Sequence, residues 1–156
     1  MKYVFLVFIF AVTNAVAQDT SHWSVGIGSN YGGVGIKYSQ PIADYVDLYA
    51  NLGQSAGFAL LSYKNGIASS AGAEFSFTPN QRHTLNLGAA LLDGKDYYNE
   101  YFHETDKNRL RGYVIGYTYY FEGLHSSGQA IGVGIIHVTD DDEVLNSLTI
   151  SWGYKF

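Results

Sequence analysis

A histidine two residues ahead of a hydroxyl is the pair in this chain with the most chemistry in it. His137 and Thr139 stand in Ile136-His137-Val138-Thr139, and on an extended strand positions two apart share one face. An imidazole so placed can take the proton of the hydroxyl and activate it for attack on an acyl group. The plainer reading, a histidine at an interface followed by a loop threonine, is favoured. Asp140, Asp141, Asp142 and Glu143 come next. They lack the spaced ligands and the glycine of a dedicated calcium loop, so a solvated acidic tip is expected, with no metal and no cofactor.

Other charged residues stand out by their company. Lys37, Asp47, Glu74 and Lys155 each sit among small residues, and they are expected to pair with one another in an interior, where a lone charge is costly. Arg109 and Arg111 suit bidentate contact with phosphate groups, or they neutralise a nearby acidic stretch. That stretch, 93–108, mixes Tyr97, Tyr98, Tyr101, Phe102 and His103 with Asp96, Glu100, Glu104 and Asp106. It reads equally as a protein or glycan contact and as ordinary interfacial tyrosine.

The elements that must position these groups are strands. In the last ten residues Leu148, Ile150, Trp152, Tyr154 and Phe156 alternate with Ser147, Thr149, Ser151, Gly153 and Lys155, a strict period of two. Similar alternation predicts strands over 22–29, 33–39, 45–52, 67–77, 83–92, 109–121 and 129–138. Residues 53–66 are harder to place and are read as a loop carrying strand extensions, because a ninth strand would put the termini on opposite sides. After a tight turn near Asn30, the connections alternate short and long. Pro41 and Pro79 fall in the short set, and most acids fall in the long set. With 18 Gly and 14 Tyr, the composition suits strands far better than helices.

Residues 1–17 are expected to be a signal peptide. Lys2 is its positive start, an apolar run follows, and Ala15-Val16-Ala17 is the cleavage signal. The remainder, 18–156, suits one domain. Loss of Lys2 takes the net charge from -5 to -6, which argues against nucleic acid as a partner. There is no Cys, so disulfides and thiolate metal sites are out. No apolar run after the leader is long enough for a transmembrane helix.

One face of nearly every strand is bulky and apolar, and the other is small with few charges. Turning every bulky face inward would overfill a small soluble barrel and leave its outside short of charge. Bulky faces toward lipid, short turns on one side and long loops on the other describe an eight-stranded antiparallel transmembrane β-barrel. The tight first turn departs from that pattern.

The leader, the eight strands and the Trp152-Gly153-Tyr154-Lys155-Phe156 ending resemble the small bacterial outer-membrane barrels of the OmpA/OmpX (Ail-like) class. That resemblance implies a monomeric up-and-down barrel in the outer membrane of a Gram-negative cell, contacting outer-membrane lipid and lipopolysaccharide. Trp152, Tyr154 and Phe156 would be the signal read by the outer-membrane assembly machinery. Apart from the resemblance, the lipid-facing register of Arg109 and Arg111 favours lipopolysaccharide phosphates as their contacts. The resemblance implies no activity, since such barrels include adhesins, anchors and enzymes. The stretch around His137 is also similar to the I-H-x-S run of PagL-type lipid A deacylases. This chain has Thr139 in place of the serine and Asp140 in place of an asparagine. The next strand offers no orienting acid. The expected function is therefore a non-enzymatic surface role. A lipid A-modifying hydrolase and a soluble periplasmic lipid-binding barrel are the alternatives.

Overall fold

The computed structural model describes residues 22–56, 64–96, 107–139 and 144–156. The expected leader, the apolar stretch 58–61, the acidic run 140–143 and the aromatic cluster at 97–103 lie outside them. Eight strands form one sheet. They are β1 (His22–Gly28), β2 (Gly33–Ala43), β3 (Val46–Ala56), β4 (Lys64–Ser76), β5 (His83–Asp96), β6 (Lys107–Tyr120), β7 (Gly128–Thr139) and β8 (Val144–Lys155). Each pairs antiparallel with its neighbour in sequence, and β1 pairs with β8 to close a barrel. Closure leaves no free sheet edge where the ladders are complete.

The alternation decides which way each residue points. On β6, Tyr113 and Ile115 lie outside while Val114, Thr118 and Tyr120 are buried inside. On β8, Leu148, Ile150, Trp152 and Tyr154 lie outside while Ser147, Thr149, Ser151 and Lys155 are buried. Ile150 is 66% exposed, Leu87 48% and Ile115 47%. A soluble barrel needs the opposite arrangement, so that alternative does not fit this surface.

Three local features differ from the sequence expectation. Pro41 belongs to β2 rather than to a turn, at an irregularity between Pro41 and Ala43 where the register with β3 shifts. A residue without an N–H is tolerated at such a bulge. Residues 53–56 and 64–66 continue β3 and β4, pairing through Ala56↔Asn65, so strand structure reaches further into 53–66 than a plain loop would. Most unexpected is the first connection. Ser29–Tyr31 form a single 3-10 turn whose three residues are all buried, so the chain folds into the lumen instead of looping outside. Gly32 and Gly33, at φ of 67° and 105°, make that reversal possible.

The inward fold also shortens β1. The β1–β8 ladder ends at Ile27↔Trp152 and the β1–β2 ladder at Gly28↔Gly33, whereas β8 pairs with β7 all the way to Val144. A bilayer crossing takes about 9–11 tilted residues, and β1 has 7. It therefore lines only the half of the barrel that holds the short turns.

Candidate functional site

The interior has three levels, and the lowest is ionic. Lys37 Nζ lies 2.6 Å from Glu74 Oε1 and donates to Tyr120 Oη at 3.1 Å. The Tyr120 hydroxyl donates to Glu74 at 3.0 Å. Beside that pair Asp47, the cross-strand neighbour of Glu74, takes His125 Nε2 at 2.7 Å. Lys155 Nζ stands 3.6 Å from Asp47, an ion-pair separation longer than a hydrogen bond, and also donates to the carbonyl of Leu124. Lys37, Asp47, Glu74 and Lys155 are each at most 2% exposed. The structure brings these four sequence candidates together as two pairs on one floor. Leu124 and His125 reach that floor from the connection between β6 and β7, and Leu124 packs with Tyr120 and Ala130. A break in alternation at that connection hides both from sequence reading.

Above the ions sits the 3-10 turn, held by neutral polar groups. Asn30 Nδ2 donates to Thr118 Oγ1 at 2.8 Å, and its Oδ1 accepts from Asn86 at 3.2 Å. Asn51 donates to the Asn30 carbonyl at 3.1 Å and to Ser70 Oγ at 2.7 Å. Thr149 donates to Ser29 Oγ at 2.6 Å. Four strands are thereby tied directly to one buried turn, and its polar groups find partners as burial requires. Tyr31 fills the space beside Gly26 and Gly153, where any Cβ would strike its ring. The third level, toward the long connections, is apolar: Ala90, Leu92, Leu110 and Val138 form a buried cluster, with Ala68, Ile136 and Leu145 against it.

The outer face is a belt. Val25, Ile36, Leu52, Leu87, Ile115, Val133 and Ile150 are all exposed. Below them, near the short turns, aromatic rings gather: Trp23 on Tyr38 at 5.1 Å, Tyr119 on Phe121 at 5.2 Å, Tyr154 on Phe156 at 5.5 Å. His83 adds to this girdle, with Nδ1 2.7 Å from Tyr117 Oη. Exposed apolar surface over this girth, flanked by a ring of aromatics, is the outside of a barrel of outer-membrane type lying in a bilayer.

His137 belongs to this outer face and not to a cleft. Its ring stacks on Tyr113 at 4.9 Å, and its Nδ1 lies 2.6 Å from Oδ1 of Asn146 on β8. Asn146 is a partner the sequence reading did not single out. It falls opposite His137 in the β7–β8 register. Thr139 stands exposed on the same side of β7. Arg109 and Arg111 also point outward at the long-connection end. Arg109 meets Asp93 at 3.4 Å with both side chains exposed, and Arg111 pairs across to Thr139 in register.

No family model matches the chain, and no curated protein matches it significantly. Among solved structures, the chain is similar to the outer-membrane protein Ail of Yersinia pestis in a phospholipid nanodisc. There the identity is 18%, with 87% of this chain and 98% of that one covered, at a TM-score of 0.46. The crystal structure of Ail, the attachment invasion locus protein, overlays at 16% identity with 87% and 97% covered and a TM-score of 0.48.

Proposed function

We propose that this chain is a non-conducting outer-membrane barrel, exported by the leader 1–17, that serves at the cell surface through its long connections. The observation that carries this reading is the inside-out distribution of polarity: an exposed apolar belt around a lumen filled by ion pairs, a buried turn and an apolar cluster. A lumen filled in this way offers a porin-like channel no wide path, which leaves the connections above the belt as the parts able to meet a partner. Trp152, Tyr154 and Phe156 lie on the outward row of β8 and just beyond it, open to the assembly machinery. Arg109 and Arg111 stand outward at the end where lipopolysaccharide phosphates would lie, and guanidinium suits them.

Full-length protein is expected in the outer-membrane fraction, with an epitope inserted in 97–106 reached by antibody on intact cells. Planar bilayers holding the purified protein should show no steady conductance. Recovery in the osmotic-shock fraction would overturn the reading. A second reading, hydrolysis of lipid A by His137 and Thr139, draws support from Asn146, which can hold the imidazole as a neutral orienting partner. Mass spectrometry of lipid A decides between them. The surface-contact reading expects unchanged acyl chains on overexpression, and loss of a chain that is restored by His137→Ala would favour the hydrolase.

A further inference from the structure

Among the described residues, the third level of the interior is not closed on every side. Between the buried turn below and the Leu92–Leu110–Val138 cluster above lies a cavity of about 80 Å³, well over the ~10–15 Å³ that one water needs. Its walls come from β3 through β8, and Gly28, Ser29, Gly32 and Gly33 form its floor. No residue of β1 or β2 beyond Gly33 lines it, because both strands end at the Gly28↔Gly33 pair. Among the described residues, no strand pairs with β8 from Val144 to Ile150 on the side away from β7. The barrel wall is therefore interrupted there among the described residues, between β8 and β3.

What faces that interruption is set by its rims. Leu148 and Ile150 on β8 and Leu52 on β3 are each more than half exposed and belong to the apolar belt. Inside, Val114, Ile136, Val138 and Leu145 offer aliphatic surface. Polar residues line it too, and Ser29, Asn51, Ser70 and Thr149 among them are hydrogen-bonded, but one buried hydroxyl is not. Ser147 is 3% exposed, and its Oγ has no hydrogen-bond partner, an unmet need that buried polar groups seldom keep. Apolar walls open toward hydrocarbon, with one idle hydroxyl near the entrance, match an acyl ester: a methylene chain for the walls and a carbonyl to accept from the serine.

We propose that this cavity takes one acyl chain of an outer-leaflet lipid, entering sideways between β8 and β3, with Ser147 Oγ–H donating to the ester carbonyl. The proposal rests on the membrane reading above, and its test separates the two. Protein that is perdeuterated except for Ile, Leu and Val methyls is placed in nanodiscs of protonated dimyristoyl phosphatidylcholine, and methyl-to-chain cross-peaks are recorded. Outward methyls of Leu87, Ile115 and Ile135 report contact with the bilayer, and their silence would sink the membrane reading itself. Given those peaks, chain cross-peaks at the inward methyls of Val114 and Val138 support the pocket, while water cross-peaks or none at these sites overturn it. Leu124, deep in the ionic level, should show no chain contact. Ala90→Phe, or Ala68→Leu if that variant does not fold, should erase the inward peaks and keep the outward ones. Inward peaks that survive in a folded filled variant would also overturn the proposal. Ser147→Ala should weaken the inward peaks at least twofold.

Discussion

Lys37, Glu74 and Tyr120 show what a buried charge requires in this barrel. Glu74 has two donors within 3.1 Å, the ammonium and the phenol, and none of its surface meets water. Removing one member of such a set strands the other in a medium that solvates it poorly, which costs about 3–5 kcal/mol, whereas replacing the pair by apolar groups of similar volume is often nearly neutral. Glu74→Gln is therefore expected to lower stability by roughly 3–5 kcal/mol in reversible urea unfolding from phospholipid vesicles, followed by Trp23 and Trp152 fluorescence. Lys37→Met combined with Glu74→Leu should cost clearly less than Glu74→Gln alone. Equal losses would mean that the pair's attraction, and not the stranded charge, sets the penalty. The four interior charges were legible in the sequence because each interrupts a row of small residues. Tyr120 was not: among Tyr117, Tyr119 and Phe121 nothing marks it as the aromatic that faces inward except its even register.

At the scale of elements, the Ser29–Tyr31 turn decides how the barrel is filled. Its seat is made by glycines, since side chains at Gly26 or Gly153 would collide with the Tyr31 ring. Gly153→Val should push Tyr31 out of its seat and destabilise the barrel by about 1–3 kcal/mol, the usual cost of overpacking, in the same unfolding assay. Tyr31→Ala added to Gly153→Val should recover part of that loss, because the valine then occupies space the ring has left. A double variant no more stable than Gly153→Val would place the strain elsewhere. Alternation of side chains made the strands legible, since period two is a property of each segment alone. The direction taken by the turn was not legible, because Gly32 and Gly33 permit a reversal without saying whether it points into solvent or into the lumen. The same holds for Leu124 and His125, whose inward reach depends on what stands across the barrel. Pro41 reads from sequence as a turn residue because a bulge and a turn make the same local demand on a residue without an N–H.

For the molecule as a whole, one assignment organises everything else: the bulky side of each strand meets hydrocarbon and the small side meets the interior. That assignment can be tested by charge as a depth gauge. An arginine on the lipid face of a membrane barrel costs about 2–4 kcal/mol at the bilayer midplane and about 0–1 near its edges. Ile115 is outward and near the middle of β6, and Phe121 is outward just past the end of β6, within the aromatic girdle. Ile115→Arg should therefore destabilise the barrel in vesicles by about 2–4 kcal/mol and Phe121→Arg by at most about 1. In a barrel dissolved in water both sites are solvent-exposed, and both substitutions would fall within about 0.5 kcal/mol of neutral. Thr118→Arg supplies the opposite contrast. Thr118 is 1% exposed and accepts hydrogen bonds from Asn30 and Asn86, so an arginine there would break the central network whichever solvent surrounds the barrel. A steep difference between Ile115 and Phe121 can arise only if the solvent around the belt changes polarity with depth, as a bilayer does and water does not.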